Sequence, residues 1–214
     1  MKTEAELREQ IVKLGKSLFD RGLAAGSAGN ISGAVDDGVL ITPTNSSLGS
    51  LAPAEISKLD REWRLVSGNP PSKELGLHRA FYETRPGTRA VVHLHSSFAT
   101  AWSCLADVDD RNALPPLTPY AVMRFGCVKL LEYFRPGDPR LEEQIRNLRG
   151  RFNAVLLSNH GSVVAGTDLL SAVFAAEELE EAAKLNLILR NMKKRVLTAE
   201  HVEELQVVFG DRLR

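Results

Sequence analysis

Apolar residues recur at Leu7, Ile11, Leu14, Leu18 and Phe19, the spacing of an amphipathic helix over residues 3–21, and Gly22 closes it. After the small-residue loop Gly26-Ser27-Ala28-Gly29-Asn30 the period changes. Ile31-Ser32 and Val39-Leu40-Ile41-Thr42 read as strands around the turn Asp36-Asp37-Gly38. Residues 43–50 form a polar, hydroxyl-rich loop, and residues 59–66 a short hairpin. Asn69-Pro70-Pro71-Ser72 leads into a helix that runs to about Thr84, with Ser72 as its N-cap. Ala90-Val91-Val92-His93-Leu94-His95 is apolar and β-branched, so it reads as a strand, and a helix follows near residues 98–105. Residues 107–119 form an irregular, proline-containing loop, and Pro136-Gly137-Asp138-Pro139 starts another helix. Residues 154–158 and 163–165 make a strand pair through the turn Asn159-His160-Gly161-Ser162. Residues 168–195 are Ala- and Glu-rich and helical, and a last helix spans about residues 198–208.

Strands and helices alternate without a regular βαβ rhythm. The pattern predicts an α/β fold in which helices flank a central mixed, largely antiparallel β-sheet. At 214 residues the chain suits one large domain or at most two small ones, and with no repeat or linker we expect a single domain over 1–214.

Charge narrows the function classes. Lys+Arg and Asp+Glu are both 27, so nothing marks a polyanion-binding surface and no nucleic-acid partner is expected. The first residues, Met1-Lys2-Thr3-Glu4-Ala5-Glu6, lack the apolar core of a signal peptide, and no apolar run approaches the roughly 20 residues that span a bilayer. No membrane partner is therefore expected. Cys104 and Cys127 could form one bridge at most. Both sit in apolar surroundings and are expected to be reduced and buried, as in a soluble cytoplasmic protein.

The candidate chemistry lies on histidines. His93 and His95 are two residues apart on a predicted strand, so their side chains point to one face and can share a metal ion. Spacing alone leaves an equal alternative, since an isolated buried histidine is more often a core residue than a ligand. His160, at the end of another strand, would complete a three-imidazole set with one position open, the arrangement of a catalytic zinc site. Other divalent ions bind imidazole too.

Glu74 falls in the first turn of a predicted helix, where the helix dipole favours a carboxylate. It is either an ordinary helix-terminal acid or a general acid/base beside the metal. His78, four residues on, shares its face and could orient Glu74 or simply pack. Gly29-Asn30, Thr44-Asn45-Ser46-Ser47 and Ser72-Lys73 supply small residues, hydroxyls and amides that together could cradle a phosphate, although each alone is ordinary turn chemistry. Lys73 stands out as a cation adjacent to a candidate acid/base.

As an ordered set these residues resemble the class II aldolase and adducin family. The resemblance is carried by Gly26-Ser27-Ala28-Gly29-Asn30-Ile31-Ser32, Ile41-Thr42-Pro43-Thr44, Ser72-Lys73-Glu74 with His78, His93-Leu94-His95 and Asn159-His160-Gly161, and covers nearly the whole chain. It implies a three-layer fold and one Zn2+ per subunit held by His93, His95 and His160. Glu74 would be the acid/base and an additional ligand before substrate arrives. It also implies a substrate phosphate bound by Gly29, Asn30, Thr44, Asn45, Ser72 and Lys73, and a homotetramer with active sites between subunits.

The sugar-phosphate aldolases usually carry two serines before the glutamate, where this chain has Ser72-Lys73. Thr42-Pro43-Thr44-Asn45-Ser46-Ser47-Leu48-Gly49, Pro71-Ser72-Lys73-Glu74 and Pro116-Leu117-Thr118-Pro119-Tyr120 look most like the branch of bacterial 3-oxo-tetronate 4-phosphate decarboxylases. That branch implies a phosphorylated four-carbon sugar acid as substrate. Tyr120 would reach the site of a neighbouring subunit, or be no more than a partly buried aromatic with a wet hydroxyl. A sugar-phosphate aldolase, an epimerase, a dehydratase and a metal-free adducin-type scaffold are the competing expectations.

Overall fold

The computed structural model of the chain describes residues 2–209, in which eight strands form one sheet. The strands are β1 (Asn30–Val35), β2 (Gly38–Ile41), β3 (Ser57–Asp60), β4 (Leu65–Ser67), β5 (Ala90–Leu94), β6 (Val128–Leu131), β7 (Ala154–Leu157) and β8 (Gly161–Gly166). Their spatial order is β4-β3-β2-β1-β5-β8-β7-β6. Every neighbouring pair is antiparallel except β6 with β7. The parallel pair requires a crossover, which a helix between the two strands supplies.

Alternation along the central strands sends residues to two cores. Ala90, Val92 and Leu94 of β5 face one side, with Ile31, Leu156 and Val164. That side is covered by α1 (Glu4–Asp20), α3 (Ser97–Ser103), α4 (Pro119–Arg124) and α6 (Leu169–Ile188). Val91 faces the other side with Val155 and Val163, beneath α2 (Leu75–Thr84) and α5 (Pro139–Asn147). The result is helix, sheet, helix: the three-layer, largely antiparallel α/β arrangement expected. Each fully buried Val, Leu or Ile contributes about 1.5–3 kcal/mol through its removal from water.

The ends of the elements follow local chemistry. Thr3 caps α1 in a reciprocal box with Glu6, Asp138 caps α5, and Asp168 caps α6. The last helix, α7 (Ala199–Phe209), exposes most of its surface and packs on α4. No helix among the described residues is long and apolar enough to cross a membrane.

Five local expectations need correction. Ser72 is not the N-cap of α2. Its N–H donates to Thr42 O at 3.2 Å, and Pro71 bridges to Pro43, so the chain stays extended and Glu74 takes the cap position. β5 ends at Leu94, which leaves His95 just past the strand. The stretch 107–119 is irregular as expected, but α4 and β6 follow it. Six and four residues long, they are too short to show a period. α6 stops at Ile188 rather than 195, because the chain turns there and Lys194 Nζ donates to Leu189 O at 3.1 Å, capping the helix end. Cys104 and Cys127 are unpaired but exposed: one caps the end of α3 and the other precedes β6, so neither reaches a core.

Candidate metal centre and active site

Four side chains converge where β5, β8 and α2 meet. His93 leaves β5 on the α2 side, opposite Asn30 of β1 and Val163 of β8. His95 follows one residue after the strand. His160 lies in the tight turn between β7 and β8, next to Asn159, which adopts φ 57°. Glu74 sits at the N-cap of α2, but its carboxylate caps nothing and turns toward the imidazoles. One ligating atom from each of Glu74, His93, His95 and His160 lies within 4.8 Å of every other. The three rings stand edge to face, with centroids 4.5 to 4.9 Å apart.

Hydrogen bonding sets which ring atom faces inward. Ser162 O lies 2.8 Å from His93 Nδ1, and a carbonyl only accepts, so Nδ1 carries a hydrogen and Nε2 faces the cluster. This is the arrangement by which a metal-ligating histidine is oriented from behind. His93 Nε2 is 2.9 Å from His95 Nε2 and 3.2 Å from Glu74 Oε2, and His160 Nε2 is 3.3 Å from Glu74 Oε1. Two imidazole nitrogens so close need a proton or a cation between them. Glu74 Oε1 and His160 Nε2 are buried and make no hydrogen bond. Such orphaned atoms are costly unless something satisfies them, and a metal ion at the centre of the four fits that demand.

Electrostatics points the same way. Burial, reinforced by the charge at His93, pushes His95 and His160 down to about 4, so both present lone pairs near neutrality. Burial works against a charge on His93, but the Glu74 carboxylate outweighs it and raises its pKa. Glu74 is the mirror case. Burial alone would raise it, yet His93 and the Asn30 hydrogen bond hold it well below the usual carboxylate range. The pocket therefore places one fixed negative charge among three imidazoles.

The expected phosphate segments lie side by side. Thr42 N donates to Ile31 O at 3.0 Å, Ser72 N to Thr42 O, and Thr44 N to Pro70 O at 3.0 Å, which draws together the loops that carry Gly29-Asn30, Thr44-Asn45 and Ser72-Lys73. Gly29 has φ 84°, and a Cβ there would sit 3.0 Å from His93 O, so the glycine keeps this approach open. Asn45 and Lys73 are exposed. The side chain of Asn30 turns inward instead, onto Glu74 and His78. Tyr120 is 59% exposed on α4, which packs on α6 and α7.

Sequence reasoning missed Glu180. From the middle of α6 its carboxylate accepts the N–H groups of Phe98 and Ala99 at 2.9 and 2.8 Å and the Ser96 hydroxyl at 2.6 Å. It thereby fixes the start of α3, two residues after His95. Thr100, also on α3, donates to His160 O at 3.2 Å. In an Ala- and Glu-rich helix nothing in the spacing sets this glutamate apart. Ser32 and Tyr82, behind His78, were also missed, although Tyr82 continues the four-residue spacing of Glu74 and His78.

The family profile of the Class II Aldolase and Adducin N-terminal domain matches residues 9–187. The chain belongs to the class II aldolase and adducin family. Within it, the chain is 48% identical over 206 residues to a 3-oxo-tetronate 4-phosphate decarboxylase of Pectobacterium atrosepticum, covering 96% of this chain and 94% of that one. It is 36% identical to an L-fuculose phosphate aldolase of Methanococcus maripaludis over 86% of this chain and 98% of the other. The crystal structure of YgbL from Klebsiella pneumoniae superposes with a TM-score of 0.93 at 47% identity, covering 96% of this chain and all of that one. This class II aldolase-family chain thus has decarboxylases and aldolases, both lyases, among its relatives.

Proposed function

We propose that this chain, as one domain over its whole length, is a metal-dependent carboxy-lyase. It would convert a 3-oxo-tetronate 4-phosphate to dihydroxyacetone phosphate and carbon dioxide. The observation that carries the reading is the 48% identity, over 96% of this chain, with a decarboxylase of that specificity. The cluster of Glu74, His93, His95 and His160 supports it independently.

His93, His95 and His160 would hold the ion, with Glu74 beside them. Zinc would suit such a three-nitrogen set. A divalent cation held there supplies Lewis acidity to substrate oxygens that gain negative charge.

The residues of the chain do the rest. Loss of carbon dioxide from C1 leaves its electron pair at C2, conjugated with the C3 carbonyl as an enediolate. One proton delivered to C2 completes the product, and Glu74 is the group that delivers it. Because Glu74 rests as a carboxylate, it takes up one proton from solvent in each cycle and passes it to C2, which balances the loss of neutral carbon dioxide from the charged acid. The loops at residues 29–30, 44–45 and 72–73 are assigned to the substrate phosphate. Lys73 serves there or in orienting the substrate. A tight ion pair to the C1 carboxylate would hold the charged ground state and oppose loss of neutral carbon dioxide. Tyr120 is assigned to the site of a neighbouring subunit in a homotetramer. The unpaired cysteines accord with a cytoplasmic setting.

A second reading, cleavage of a sugar phosphate by an aldolase, is favoured by the 36% identity to a fuculose phosphate aldolase. It generates the same enediolate by losing an aldehyde. One assay separates the two: the purified protein is given the phosphorylated 3-oxo acid, and carbon dioxide and dihydroxyacetone phosphate are followed. Stoichiometric carbon dioxide with no aldehyde is expected. No carbon dioxide from the 3-oxo acid, with aldehyde released from fuculose phosphate given separately, would overturn the decarboxylase. His95→Ala should lose both metal and turnover, whereas Glu74→Gln should keep metal and lose turnover. Normal turnover in Glu74→Gln would remove Glu74 from the acid/base role.

A further inference from the structure

Behind Glu74 the buried polar groups form a line. Asn30 Nδ2 lies 2.9 Å from Glu74 Oε2, and Asn30 Oδ1 meets His78 Nε2. Ser32 Oγ lies 2.7 Å from His78 Nδ1 and 3.0 Å from the Tyr82 hydroxyl. The line exists because two periods match. Asn30 and Ser32 are two apart on β1, about 6.7 Å along a strand, while Glu74, His78 and Tyr82 are four apart on the α2 side, about 6 Å per step along a helix.

Each bond fixes the polarity of the next. The ionised carboxylate only accepts, so the Asn30 amide N–H must face it and Asn30 Oδ1 must face His78. Nε2 of His78 therefore carries the hydrogen. The His78 ring is fully buried and touches Ser32 and Asn30 rather than a carboxylate, so it stays neutral and Nδ1 is a bare acceptor. Ser32 then donates to Nδ1, and its oxygen is left to accept from Tyr82. Burial also raises the Tyr82 pKa, so the phenol keeps its proton.

We propose that Tyr82, Ser32, His78 and Asn30 are positioning residues that present Glu74 to the substrate, with His78 locked as the Nε2–H tautomer and every hydrogen in the line directed toward the carboxylate. The anchored oxygen is Oε2. Oε1, which makes no hydrogen bond, is the one left to exchange a proton. The positioning role rests on Glu74 as acid/base, whereas the tautomer and the bond directions do not.

Two measurements test it. Nitrogen-15 NMR of the histidine rings, with His78 assigned by comparison with His78→Gln, should find Nε2 protonated and Nδ1 bare, in metal-free and zinc-loaded protein alike. A protonated Nδ1 would overturn the line of bonds. In kinetics, His78→Phe should lower kcat about 10–100-fold while KM and bound zinc stay near wild type, as for loss of a group that orients another. His78→Gln, which offers an N–H and a carbonyl on the same sides, should recover most of the rate. A zinc-loaded, folded His78→Phe enzyme with wild-type kcat would overturn the positioning role. If His78→Phe does not fold, Ser32→Ala, which removes one hydroxyl, takes its place with a smaller expected loss of kcat and the same reading of outcomes. Should Glu74→Gln itself prove active, the acid/base assignment falls, and the NMR result still decides the line on its own.

Discussion

Glu180 holds the backbone N–H of Ala99 at 2.8 Å, although the two residues lie on different helices and 81 positions apart in the chain. Through this contact and its bonds to Phe98 and Ser96, α6 sets where α3 begins and hence where His95 stands.

Removing that carboxylate strands three donors. Glu180→Ala should destabilise the protein by about 1–3 kcal/mol, the cost of leaving a buried donor unmade, read from urea melts. It should also weaken metal retention on dialysis. Wild-type metal retention in Glu180→Ala would show that α3 holds His95 unaided.

Zinc binding to the folded state alone should raise its stability. At free zinc one hundredfold above Kd the gain is about 2.7 kcal/mol, or roughly 5–10 °C in Tm for a chain of this size. Differential scanning calorimetry with chelator and then zinc measures it. His160→Ala should abolish most of the shift, since it removes one of the three nitrogens.

His78 gives stability a pH dependence of known sign. Its folded pKa, about 3, lies below the ordinary 6.5, so below pH 6.5 the unfolded chain takes up a proton that the folded chain refuses. The full contribution is present above 6.5 and shrinks as pH falls toward 3. Between pH 7.5 and 5.5 the urea midpoint of the metal-free wild type should fall more than that of His78→Gln. Parallel falls would show that His78 titrates normally.

A methyl group at Gly161 has no room. Its Cβ would lie 2.2 Å from Leu94 O and 3.2 Å from His95 Cα. Gly161→Ala should cost roughly 1–3 kcal/mol through overpacking, and should lower metal affinity because the strain falls between His160 and His95. Gly87→Ala, where nothing lies within 4 Å but φ is 88°, carries backbone strain outside the cluster and should still bind metal as wild type does.

The local patterns made much of this visible beforehand. The two-residue spacing of His93 and His95, the turn holding His160 and the small-residue loop at 26–30 each have a short-range signature, and all fall beside one another. What stayed hidden depended on distance in the chain. Glu180 looks like any solvent-facing glutamate until α6 is laid against α3. Ser72 has the composition of an N-cap, but its backbone is taken by Thr42. The cysteines have apolar neighbours in sequence, but each sits at the end of an element, where it stays exposed.

The matched steps of β1 and α2 also govern how the gene can change length. One residue inserted between Glu74 and His78 would swing the carboxyl about 100° around the helix axis, out of reach of both Asn30 and the imidazoles. One residue inserted between Asn30 and Ser32 would turn one of them to the opposite core. Insertions and deletions are therefore closed to these two segments, while the irregular stretch before α4 can lengthen at small entropic cost.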